Sequence, residues 1–133
     1  MPVLAIIAHD AKKSDMVKFC VEHRKMLTKA TLIGTGQTAE LVEQGTGLPV
    51  EKLLHGPHGG DAQVASRIAM GQVQAVLFFS DPLTAHPHEA DIQMLLRICN
   101  VHNVPLATNS AMSHVLCALL CPECEKAAHN CPH

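Results

Sequence analysis

The chain has 133 residues, 47% of them hydrophobic and 17% charged. That is a single domain's worth of sequence, with apolar material for one core and a further buried interface, and it excludes both a two-domain protein and a disordered one. Ten Lys and Arg against twelve Asp and Glu leave a formal charge of -2, so no global basic field draws in a nucleic-acid backbone or an anionic bilayer. Trp and Tyr are absent, and Phe19, Phe78 and Phe79 are the only aromatic residues, which removes the platform on which single-stranded bases stack. The surplus lies elsewhere, in ten His and six Cys, side chains that titrate or ligate near neutral pH.

No apolar run approaches the roughly 20 residues of a membrane span, and MPVLAIIAHDAKK has neither a basic leader region nor a cleavage site. The expected location is the cytoplasm. In that reducing compartment Cys20, Cys99 and Cys117, each set among apolar residues, read as small core residues.

Apolar strand-like runs alternate with segments of helical period. Val3 to Ala8 is a continuous apolar run, the signature of a strand buried on both faces of a parallel sheet. Met16 to Leu27 has helical spacing, with Ser14 as its predicted N-cap. Thr31 to Ile33 predicts a second strand ending in Gly34-Thr35-Gly36, and Thr38 to Gln44 a helix stopped by Gly45-Thr46-Gly47. A third strand is predicted around Val50 to Leu54, a helix from Asp61 through Met70, and the strongest strand at Ala75 to Phe79. Glu89 to Val101 predicts a helix with Ile92, Leu95, Leu96 and Cys99 on one face, Pro105 to Ala107 a last short strand, and Ala111 to Leu120 a last helix. Five such alternations give an α/β class: a single-domain, three-layer open parallel sheet of about five strands flanked by helices. Residues 1–120 form this domain, and 121–133 a separate Cys/His-rich tail.

In such sheets ligands bind beyond the carboxyl ends of the strands. His9, Asp10 and Lys13 follow the first strand, Thr35, Gly36 and Thr38 the second, His55 to Asp61 the third, and Asp81, His86, His88 and Asp91 the fourth. One sheet edge therefore collects most of the polar chemistry. Gly34-Thr35-Gly36-Gln37-Thr38 puts amides and hydroxyls at a helix N-terminus, which fits an anion site and equally a tight turn with Thr caps. It is neither a Walker A loop nor a dinucleotide fingerprint. Asp61 after Gly59-Gly60 is either a carboxylate aimed at a ligand or an ordinary N-cap, and Asp91 a second candidate cap. Together the carboxylates and imidazoles point to acid/base work on a small anion.

These motifs, from Ile7-Ala8-His9-Asp10 with Lys13, through Gly34 to Thr38, Gly56 to Val64, Phe78 to Leu83 and Pro87-His88 with Asp91, to Pro105 to Asn109, resemble the methylglyoxal synthase family in order and spacing from about Val3 to about Leu119. The resemblance implies a homohexameric α/β enzyme without metal or organic cofactor. Such an enzyme converts a small phosphorylated substrate, dihydroxyacetone phosphate, into methylglyoxal and inorganic phosphate, and has neither nucleic-acid nor membrane partners. By the same resemblance Asp61 is the general base and His88 contacts the substrate oxygens. Asp81 and Asp91 orient and tune these groups, and His9 and Asp10 complete the polar wall. Lys13, Thr35, Gly36, Gln37, Thr38, His55 and Gly56, with His9 and His88, hold the substrate and its phosphate. A reading from another class is a non-catalytic ligand-binding module of the same fold, as in carbamoyl phosphate synthetases; the joint presence of His9, Asp61, Asp81, His88 and Asp91 favours the enzyme.

The chain departs from the family in three places, one of them Gln37, which stands where a hydroxyl residue is often found. Cys121, Cys124, His129, Cys131 and His133 have the ligand types and part of the spacing of a small zinc site, with a redox role or an irregular tail as the other readings. His55 stands where the family commonly has a small Ser. A protonated imidazole there strengthens phosphate binding below about pH 6.5. The KM of the wild type should therefore fall as pH is lowered through that range, and the KM of His55→Ser should not.

Overall fold

Residues 2–54, 59–83 and 91–120 are described in a computed structural model of the protein. Their elements run β1 (Val3–Ala8), a 3-10 turn (Asp10–Lys12), α1 (Lys13–Glu22), α2 (Arg24–Leu27), β2 (Thr31–Thr35), α3 (Gly36–Thr46), β3 (Val50–Leu53), α4 (Gly60–Ala69), β4 (Ala75–Phe79), α5 (Ile92–His102), β5 (Leu106–Ala107) and α6 (Ser110–Leu120). The five strands are all parallel, in the order β3-β2-β1-β4-β5. The order reverses between β1 and β4, where the carboxyl ends of neighbouring strands diverge and open a crevice.

The period of two along each strand divides the core between two faces. Leu4, Ile6, Leu77 and Phe79 pack with Met16, Phe19, Val42 and Cys117 under α1, α3 and α6. Ala5, Ile7, Val76 and Phe78 pack with Val64, Ile68, Leu95 and Cys99 under α4 and α5. Every residue of β4 is buried, as the uniformly apolar AVLFF requires of a strand covered on both sides. Cys20, Cys99 and Cys117 lie in these cores as unbridged thiols. Burial, with Cys117 nearby, pushes the Cys20 thiol up to about 12, so it stays protonated and unreactive.

Element boundaries differ from the expected ones for identifiable reasons. The predicted helix Met16 to Leu27 is broken at His23, which leaves helical geometry (φ -107°, ψ 19°). Its ring stacks on Phe19 at 4.2 Å, its Nδ1 donates to the Phe19 carbonyl at 2.9 Å, and its Nε2 lies 2.7 Å from His114 Nδ1 on α6. These contacts with a distant helix outweigh the local helical pattern. The helix also starts at Lys13, after the 3-10 turn, with Lys12 and not Ser14 in the capping position. β2 extends through Thr35, and α3 begins at Gly36. α5 begins at Ile92 because the Asp91 carboxylate accepts from the Gln93 and Met94 amides at 2.9 and 3.2 Å, the N-cap arrangement.

Asp61 is not an N-cap. Gly59 takes that place in the left-handed region (φ +102°), and α4 starts at Gly60. A Cβ on Gly60 would lie 2.0 Å from the Leu54 carbonyl oxygen and 3.0 Å from Thr35 Cγ2, so only glycine lets α4 approach the end of β3 this closely. Gly71 has a left-handed φ of +74° but open space around it. Gly71→Ala should therefore cost about 1 to 2 kcal/mol, the strain of the conformation alone. Gly60→Ala meets backbone that cannot yield and should cost about 3 kcal/mol or more. Urea denaturation of the two variants checks this ranking.

Candidate active site

The amino end of α3 is the first part of the site. Leu32-Ile33-Gly34-Thr35 leaves the sheet directly into the helix, which puts the unsatisfied first-turn amides of α3 at the carboxyl edge. The Leu54 carbonyl takes the Gly36 amide at 3.2 Å. Thr35 makes no side-chain cap, and the hydroxyl of Thr38, 1% exposed, has no hydrogen-bond partner among the described residues. A buried hydroxyl without a partner costs about 1 to 3 kcal/mol. The Thr-cap reading of this turn is therefore not what the structure shows, and the arrangement suits an anion that accepts from the hydroxyl and the amides together. Lys13 supplies a cation at this end. Its ammonium donates to Gln37 Oε1 at 2.9 Å and pairs with Asp10. The Asp10 side chain itself is 73% exposed, so it faces solvent and not an enclosed wall.

The second part is at the switch between β1 and β4. At the end of β1 the His9 main-chain N–H donates to Phe79 O at 3.1 Å, and the His9 ring, 2% exposed, stands edge-on to Phe78 at 5.0 Å. His9 Nδ1 accepts the main-chain N–H of Asp81 at 3.0 Å. An amide can only donate, so the ring proton is on Nε2. The buried Asp81 carboxylate accepts from the Leu83 amide at 3.0 Å and shapes the turn after β4. A cleft of about 850 Å³ opens here, and Ile92 and Gln93 at the start of α5 share it with His9 and Asp81.

The third part is Asp61. It lies in the first turn of α4 and is half-buried. Oδ1 accepts from the Ala62 amide at 2.9 Å and Oδ2 from the Asp91 amide at 3.0 Å. One N–H on each oxygen fixes the plane of the carboxyl and leaves each oxygen a lone pair for a substrate proton. Because Asp91 caps α5 with its own carboxylate, the amide it offers Asp61 is held in place from both sides.

Comparison with known proteins identifies the family. A family model described as "MGS-like domain" matches residues 15–108. The methylglyoxal synthase of Thermus thermophilus is 53% identical over 118 residues, covering 89% of this chain and 94% of that one. The methylglyoxal synthase of Caldicellulosiruptor saccharolyticus is 51% identical over 113 residues, covering 85% and 80%. The chain belongs to the methylglyoxal synthase family. The crystal structure of the methylglyoxal synthase from Elizabethkingia anophelis NUHP1 superposes with a TM-score of 0.85 at 41% identity, over 88% of this chain and 77% of that one. Members of the family are lyases, and these relatives favour the enzyme over a non-catalytic module of the same fold.

Among the site residues expected for a methylglyoxal synthase, the structure gathers Thr35, Gly36, Gln37, Thr38, Lys13 and Asp10 at one end. It pairs His9 with Asp81, and Asp61 with Asp91. His55, Gly56, His88 and the tail residues Cys121, Cys124, His129, Cys131 and His133 lie outside the described residues. Two contributors were not singled out from the sequence. Leu54 uses both of its main-chain polar groups at this edge, and Gln63 accepts the Leu54 amide with its side chain at 2.7 Å. A Gln one turn into a helix carries no pattern of its own; only the neighbouring Gly-Gly-Asp marks the place. No helix among the described residues is long and apolar enough to cross a membrane.

Thr38→Val removes the unpartnered hydroxyl and keeps the shape. Calorimetric titration with inorganic phosphate should show affinity about tenfold weaker, while the melting temperature stays level or rises, since a desolvated hydroxyl is lost with the ligand absent.

Proposed function

We propose that this protein converts dihydroxyacetone phosphate into methylglyoxal and inorganic phosphate by proton abstraction followed by phosphate elimination. The observation that carries the reading is the pairing of an oriented carboxylate, Asp61, with an anion-ready helix terminus whose Thr38 hydroxyl is buried without a partner among the described residues. Thr35, Gly36, Gln37, Thr38 and Lys13, with His55 and Gly56 from outside the described residues, hold the phosphate dianion. Asp61 takes a proton from the hydroxyl-bearing carbon, and the electron pair moves to the carbonyl to form an enediolate phosphate. His88, by family resemblance, contacts the oxygen that gains charge. His9 presents an Nε2 proton held by the Asp81 amide and contributes a second donor to the same wall.

The enediolate then has two fates. If a proton returns to carbon, a triose phosphate results. If instead the hydroxyl proton passes to the oxygen that gained charge, the pair left on the former hydroxyl oxygen closes a carbonyl there, the double bond shifts to the phosphate-bearing carbon, and the bridging C–O bond breaks with its electrons leaving on phosphate. The enol so formed takes a proton on its terminal carbon and becomes methylglyoxal. Elimination needs the C–O bond to stand across the enediolate plane, so the relative placement of phosphate cradle and base selects the product.

The assembly proposed is a homohexamer in the cytoplasm, with residues 1–120 as the catalytic domain and 121–133 as an irregular tail without a part in catalysis, zinc binding by its Cys and His or redox chemistry being the other readings. The reaction is tested by incubation with dihydroxyacetone phosphate and measurement of methylglyoxal and phosphate. Wild-type protein should release both in equal amounts, and Asp61→Asn should lower kcat by about 10²- to 10⁴-fold. Turnover indifferent to that substitution would rule out Asp61 as the base.

A further inference from the structure

We propose that Gln63 is a positioning residue that sets the fate of the enediolate by tying the helix of the base to the helix of the phosphate cradle. This rests on the reaction proposed above. The tie runs through the main chain of Leu54. Its carbonyl accepts the Gly36 amide of α3 at 3.2 Å, and its amide donates to Gln63 Oε1 of α4 at 2.7 Å. Gly60, also on α4, lies against the same carbonyl, with 2.0 Å left for a Cβ. One residue of β3's exit thus meets both helix termini. The anion site is at one terminus and Asp61 at the other.

Among the described residues, the side-chain hydrogen bond at this junction is the one from Gln63. It bonds at both of its ends to chain that brackets residues 55–58. The side chain takes the Leu54 amide before that segment, and the Gln63 amide donates to Gly59 O after it at 3.0 Å. Without the side-chain bond, the body of α4 stays on the sheet through Val64, Ile68 and the Arg67–Glu51 ion pair, but its first turn, which carries Asp61, is left to the contact at Gly60 and the intervening chain. The distance and angle between Asp61 and the phosphate then spread over a wider range. Proton abstraction tolerates this, because a carboxylate reaches a proton from a cone of directions. Elimination tolerates it less, because it needs the C–O bond across the enediolate plane. Loosening the junction therefore shifts the intermediate towards return of a proton to carbon.

The test is run in D2O on the full chain, with the ratio of deuterium incorporated into recovered triose phosphates to phosphate released as the readout. Gln63→Met matches the side chain in size and lacks the acceptor. Its ratio should rise about fivefold or more, the factor equivalent to one ordinary hydrogen bond, with unchanged circular dichroism and melting temperature. Gln63→Glu keeps an acceptor for the Leu54 amide and should retain the wild-type ratio, even where its added charge raises KM. Gln63→Ala, at an exposed helical position that favours Ala, carries the same expectation as Gln63→Met and replaces it should that variant not fold. An unmoved ratio in the acceptor-less variants, with kcat lowered for both fates alike, overturns the role. Wild-type protein that forms neither methylglyoxal nor deuterated substrate overturns the reaction itself, and the role of Gln63 with it.

Discussion

Burial of the sheet on both faces is the constraint from which the rest follows. β1 and β4 are neighbours along their whole length, and helices cover them above and below, so their interiors admit only apolar side chains. Polar groups are displaced to the strand ends. At the carboxyl ends they meet the positive termini of α3, α4 and α5, whose first-turn amides have no partner within their own helices. In the reaction proposed above, a carboxylate base and an anionic ligand share one edge because each has its own helix terminus. Asp61 takes donors from α4 and from the residue that caps α5, while at α3 the Leu54 carbonyl takes the Gly36 amide and the Thr38 hydroxyl has no partner among the described residues.

The fold was readable because its signals are local and strong. AVLFF has no other economical home than a central parallel strand, and the alternation of such runs with helical periods leaves one architecture. The site was readable in outline for the same reason, since the residues after each strand end are placed together by topology. His9, Asp61 and Asp81 needed no more than that to be found. What each does there was less visible. Asp61 looks like an N-cap in sequence because caps and catalytic carboxylates use the same residue type after the same glycines. Only the close approach of Gly60 to the Leu54 carbonyl shows that the helix starts one residue earlier.

The features that escaped are all made through space by groups without a sequence signature. His23 interrupts a helix because of His114, ninety-one positions away. Leu54 reads as the end of a strand, yet its amide and carbonyl unite three elements, and main-chain atoms are the same in every residue but proline. Thr38 is an ordinary helix residue in sequence, and the lack of a partner for its hydroxyl among the described residues emerges only from the folded chain. In each case the deciding quantity is a distance between residues far apart in the chain, which periodicity does not encode.

The hydrogen bonds that orient the acid and base groups have a common origin that bears on how such a site varies between relatives. Asp61 is held by the amides of Ala62 and Asp91, His9 by that of Asp81, Asp81 by that of Leu83, and Asp91 by those of Gln93 and Met94. Every one of these donors is main-chain. Nineteen amino acids would supply the same N–H at Ala62, Leu83, Gln93 or Met94, so these positions are free to drift without dismantling the apparatus, with proline as the forbidden replacement. Selection then acts on the few side chains that receive the bonds. The surrounding residues remain open to other demands, such as packing against a neighbouring subunit.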